Sequence, residues 1–134
     1  MRNYSAALSV LVVAILAACD GYSSGPEDDG LLTGTYTGEA EIIGVEVLDV
    51  TFTLTEYLGG VTGSFAAADG TTGSIAGSIS GSTLTFTITQ TAPCAGSHDG
   101  TASIENGGDR LSGFYMGSSP CTGPVNASFV INRT

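Results

Sequence analysis

Thr83-Leu84-Thr85-Phe86-Thr87-Ile88-Thr89 alternates threonine with a large apolar residue at every second position. Successive side chains of an extended strand point to opposite faces, so Leu84, Phe86 and Ile88 share one face and the four threonines the other. A helix, with 3.6 residues per turn, would mix the two sets. One face therefore belongs to a core and the other to water, and β-branched threonine suits the wet side of a pleated surface.

The same period extends in both directions. Upstream, 45–57 sets Leu48, Val50, Phe52 and Leu54 against Asp49, Thr51, Thr53 and Thr55. With 34–43, 61–67, 72–80, 83–91, 98–105, 110–116 and 125–133, eight period-two segments are predicted, and none reads as a helix. Turn signals separate them at Gly59-Gly60, Asp69-Gly70, Ser80-Gly81-Ser82 and Asn106-Gly107-Gly108-Asp109. A loose echo (LTGTY at Leu32, VTGSF at Val61, TTGSI at Thr71, LSGFY at Leu111) places glycine where a strand must bend or relieve crowding. Eight short strands on short turns predict an all-β fold, an eight-stranded antiparallel up-and-down β-barrel, which removes exposed edges; a two-sheet sandwich is the alternative.

The chain has 134 residues and a formal charge of −10. Before the barrel segments, Arg2 and the free amine precede an apolar run from Ala6 to Leu16, too short to span a bilayer. Leu16-Ala17-Ala18-Cys19 then resembles the lipobox of bacterial lipoproteins. That resemblance implies a signal peptide over 1–18, cleaved before Cys19, and acyl chains on Cys19 that hold the protein to a membrane of the cell envelope. Asp20 resembles the inner-membrane retention signal of enterobacterial lipoproteins, and the choice between inner and outer membrane stays open. Residues 19–30 carry Gly, Ser, Pro and acid without apolar periodicity, which predicts a flexible tether, and 31–134 form the barrel domain.

The mature part sets two arginines and no lysine against thirteen carboxylates, a formal charge of −11. Phosphate is repelled by such a surface, so nucleic acid is excluded as a partner, and attachment to anionic lipid must come from acyl chains. A cationic partner fits the charge.

Cys19 goes to lipid in this reading, which leaves Cys94 and Cys121 in the look-alike loops APCAG and SPCTG. An even pair in an exported chain predicts a disulfide. In an eight-stranded meander the loops after the fifth and seventh strands emerge at one end, which brings both cysteines to one rim. Zinc ligation or a reactive thiol would need more ligands or a basic neighbour, and His98 is the only histidine.

Catalytic constellations are weak. Ser97-His98-Asp99 holds the letters of a hydrolase triad, but three consecutive residues cannot aim at one atom. Glu39 and Glu41 share a face at i and i+2, as solvent-facing charge on a barrel exterior would. No enzyme activity, metal site or cofactor is expected.

Gly34-Thr35-Tyr36 at the first strand and Ile131-Asn132-Arg133 at the last resemble the calycin pattern of lipocalins and avidins. There a G-x-W opens strand one and a basic residue of the last strand packs over the ring; here Tyr36 stands in place of tryptophan. The resemblance implies a plug in which Arg133 covers Tyr36 and closes one end. The opposite rim would carry Glu46, Asp69, His98 and Asp99, and Phe52, Phe65, Phe86 and Phe129 would line any ligand space. The chain also resembles small Gly/Thr-rich β-barrel lipoproteins of environmental bacteria. Two functions follow as expectations: a non-catalytic envelope barrel that binds a small apolar ligand or serves structurally, and an inhibitor or binder of a cationic protein such as lysozyme.

Overall fold

The alternation read at 83–89 becomes the fifth of eight strands in a computed structural model that describes residues 30–134. The expected signal peptide over 1–18, Cys19 and the expected tether up to residue 29 lie outside the described residues. The strands are β1 (Gly34–Ile42), β2 (Glu46–Tyr57), β3 (Gly60–Ala67), β4 (Thr72–Ser80), β5 (Thr83–Ala92), β6 (Gly96–Glu105), β7 (Arg110–Ser119) and β8 (Gly123–Arg133). Each pairs antiparallel with the next in chain order, and β1 also pairs with β8, from Tyr36↔Arg133 to Ile42↔Ala127. That last ladder decides against the sandwich, because it leaves no edge strand.

Inward positions follow the predicted parity. Val50, Phe52 and Leu54 of β2, Leu84, Phe86 and Ile88 of β5, and Phe129 and Ile131 of β8 are all buried. Ile79 of β4 and Ile104 of β6 pack against this core but are only partly buried. Phe52 is central, with ring centroids 5.3 Å from Phe65, 5.3 Å from Phe129 and 6.1 Å from Phe86. The edge-on and tilted arrangements suit the ring quadrupoles.

The inward glycines explain the sequence echo. A Cβ on Gly63, Gly73 or Gly113 would run into the carbonyl oxygen of Thr53, Thr89 or Thr101 on the neighbouring strand. Each sits in one of the TG or SG motifs, where a small barrel coils its strands tightly enough to bring backbone into side-chain space.

Three details depart from the sequence reading. Asn106–Gly108 forms one 3-10 turn where no helix was expected; Asn106, Gly107 and Gly108 all have positive φ, so a tight local turn replaces a plain loop. The β2–β3 connection turns on Leu58 and Gly59, while Gly60 already pairs with Tyr57. Finally β6, β7 and β8 run further toward one end than their apolar patterns reach. Pairs such as Ser118↔Pro124 and Gln90↔Gly96 are held by backbone, with small residues that carry no hydropathy signal.

Candidate functional site

The two ends of the barrel differ. At one, where the chain enters β1 and leaves β8, Arg133 forms the lid. Its guanidinium carbon lies 5.1 Å from the centroid of the fully buried Tyr36 ring. Arg133 Nε donates to Asp109 Oδ1 at 3.0 Å, and one terminal nitrogen donates to the carbonyls of Leu31 at 2.7 Å and Gly108 at 2.9 Å. The other donates to Thr33 O, and Tyr36 Oη donates to Gly108 O. A planar five-donor fork suits such a cluster of carbonyls. Burial raises the Tyr36 pKa, with the Arg133 charge opposing, so its hydroxyl stays a donor. Below the lid Leu32 is fully buried, and its backbone N donates to Glu56 Oε1 at 3.0 Å. Leu32 and Glu56 were not anticipated. Neither carries a signal beyond position, Leu32 because it precedes the first strand and Glu56 because a carboxylate on an inward parity reads as an exception.

The opposite end opens into a cavity of about 170 Å³. Ile42, Leu48, Phe65, Ile88, Tyr115 and Val125 give it apolar walls, Gln90 and His98 add polar groups, and Glu46 and Asp69 stand at the lip. Gln90 is buried; its Nε2 donates to Cys94 O at 3.0 Å, and its Oε1 lies 3.0 Å from His98 Nε2. Because the amide nitrogen faces a carbonyl, the amide oxygen must accept, so His98 carries its proton on Nε2. Nδ1 is then an acceptor, buried without a hydrogen-bond partner among the described residues. Burial pushes the imidazole below its ordinary 6.5, Asp99 opposing, so the ring is neutral at neutral pH. Burial, with Asp69 reinforcing it, pushes the Tyr115 phenol up to about 12.

Of the expected rim residues, Glu46, Asp69 and His98 border this cavity, but Asp99 does not. It faces outward from β6, one residue out of phase with His98, and accepts a hydrogen bond from Thr87 Oγ1 at 2.9 Å. Ser97, His98 and Asp99 therefore form no triad. Of the four phenylalanines expected to line a ligand space, only Phe65 does so. Phe52, Phe86 and Phe129 fill the barrel interior against one another. Gln90 and Tyr115 were missed; each lies on an inward parity, the one signal that could have found them. Cys94 and Cys121 lie beside the mouth at disulfide distance, Cα atoms 6.2 Å apart. Among the described residues no group of three metal-ligating side chains converges.

Fold and site together define a closed eight-stranded up-and-down barrel, plugged at one end and hollow at the other, the architecture that the calycin resemblance implies. No protein-family model matches the chain, nor does any curated protein sequence. A solved structure, EF1p2_mFAP2b bound to DFHBI, superposes with a TM-score of 0.64 over 78% of this chain and 94% of that one, at 12% identity. Similarity at that level is similarity of fold.

Proposed function

We propose that this chain is a lipid-anchored, non-catalytic module of the cell envelope that holds a small, mostly apolar ligand in the mouth of its barrel. The cavity carries the reading: an apolar-walled hollow with a few polar groups, at the end away from the chain entry. It is smaller than the several hundred Å³ of drug-sized pockets and about the size of an engineered apolar cavity that takes benzene. The occupant is therefore a molecule of about one ring, or one end of a longer one. The barrel solved with DFHBI supports the reading by showing the fold beside a bound molecule. Native mass spectrometry of the purified full chain tests it. A released ligand, or uptake of a one-ring probe that Ala67→Phe blocks, supports the proposal; a bare mass and no uptake overturn it.

A second reading, an inhibitor or binder of a cationic protein such as lysozyme, rests on the outer wall. Register places Val47, Glu41, Ser128 and Phe114 in one row across β2, β1, β8 and β7, with Glu39 beside Val130 in the next. Val47, Phe114 and Val130 are exposed and border a shallow groove that contains both glutamates. Apolar surface around paired carboxylates suits an Arg- or Lys-bearing partner. Lysozyme retained on the immobilised chain at low salt, and released by high salt or by Glu39→Gln with Glu41→Gln, is the expected result. Retention insensitive to both rejects it, as does no retention.

A further inference from the structure

The charges around the mouth all have one sign. Glu46 and Asp69 stand at the lip of the cavity, and the cations among the described residues are at the plugged end. There Arg110 pairs with Glu105 at 3.0 Å and Arg133 with Asp109 at 3.0 Å. The chain contains no lysine. The one residue in the cavity that could become cationic, His98, is held neutral by burial.

The polar groups of the floor are largely turned toward the protein. Gln90 gives an amide hydrogen to Cys94 O and its oxygen to His98, whose Nδ1 stays a buried acceptor without a partner among the described residues, so what the floor leaves over suits a donor rather than an anion. Asp69 Oδ1 accepts from Thr71 N at 3.0 Å, which holds the carboxylate in its turn and leaves further acceptor capacity. Between floor and lip the wall is mostly apolar, with Thr71, Thr122 and the Tyr115 phenol among its lining. The cavity thus has an apolar depth and an anionic entrance with no compensating cation.

Resting on the mouth-cavity reading, we propose that the ligand is an amphipathic cation, a protonated amine on a compact apolar body. The body fills the space between Phe65 and Ile88, and the ammonium sits at the lip against Glu46 and Asp69. Anionic molecules of the same shape are rejected, because the entrance repels them and offers no donor of opposite charge.

Three probes of one shape separate this from the parent reading: benzylamine, benzyl alcohol and benzoate, titrated calorimetrically into the purified full chain at neutral pH and low ionic strength. Benzylamine is expected to bind about tenfold more tightly than benzyl alcohol, and benzoate not at all. Glu46→Gln with Asp69→Asn is expected to bring benzylamine down to the affinity that benzyl alcohol has for the same variant. Benzyl alcohol binding as tightly as benzylamine, benzoate binding, or an advantage that survives the double substitution would overturn the cation preference and leave the cavity reading standing. If none of the three binds, the cation preference fails, and the cavity reading fails with it when native mass spectrometry also shows a bare mass.

Discussion

At the residue scale the plug is the most legible feature. A small pattern at each end of the barrel sequence, Gly34-Thr35-Tyr36 and Ile131-Asn132-Arg133, pointed to the cation–π contact that the structure has at 5.1 Å. The carbonyls around Arg133 could not be read, because backbone acceptors in turns leave no trace in residue identity. They dominate its energetics: several charge-assisted bonds converge on a guanidinium whose side chain is 24% exposed. Arg133→Ala is expected to destabilise the barrel by about 2–3 kcal/mol, and Arg133→Lys to recover only part, since an ammonium lacks the planar fork. Urea unfolding of the three chains measures this, and an Ala variant within about 0.5 kcal/mol of wild type would contradict it. His98 shows the opposite balance. Its existence is obvious in the sequence, while its role depended on parity, which turned His98 inward and Asp99 outward. The folded imidazole resists protonation and the unfolded one titrates near 6.5, so the unfolded state binds more protons as the pH falls. Stability is full above 6.5 and drops as the pH descends through the lowered folded value. His98→Gln removes this dependence. Urea midpoints followed downward from neutrality should converge between the two proteins, and parallel profiles would exclude the linkage.

At the scale of elements, strand identity was legible because alternation survives wherever side chains are large. The ends were not. Gly117, Ser118 and Ser119 extend β7 although no apolar residue marks them, and their partners Val125, Pro124 and Gly123 hold them by register. Turn placement failed for a related reason: two adjacent glycines at 59 and 60 look like the turn, yet Leu58 takes the left-handed conformation and Gly60 joins the strand. The TG echo, in contrast, reported a tertiary constraint. Gly113 lies against Thr101 O of β6, and backbone there cannot retreat without breaking the ladder. Gly113→Ala should cost about 2 kcal/mol despite the better strand propensity of alanine, whereas Gly44→Ala, with nothing near its Cβ, meets only the cost of its φ of +77°. Thermal melts of the pair distinguish packing from propensity: a Gly113→Ala melt at or above that of Gly44→Ala would refute the close-approach account.

For the whole molecule, the orientation of the barrel follows from where the chain enters it. Gly30 to Thr33 crosses the plugged end, and β1 begins there, so the anchor proposed on Cys19 would hold that end toward the membrane and turn the cavity away. The chain lacks tryptophan, so single introduced tryptophans report position without background. Tyr57 is 66% exposed at the plugged end and Val45 is 71% exposed at the mouth, and both tolerate a larger ring in solvent. With the acylated chain in vesicles carrying headgroup spin labels, Tyr57→Trp fluorescence should be quenched and Val45→Trp fluorescence spared. Cys19→Ala should abolish the difference and release the protein from the membrane fraction. Stronger quenching at Val45 would mean that the mouth, with Glu46 and Asp69 at its lip, faces the lipid, and would turn the search for the ligand toward the bilayer itself.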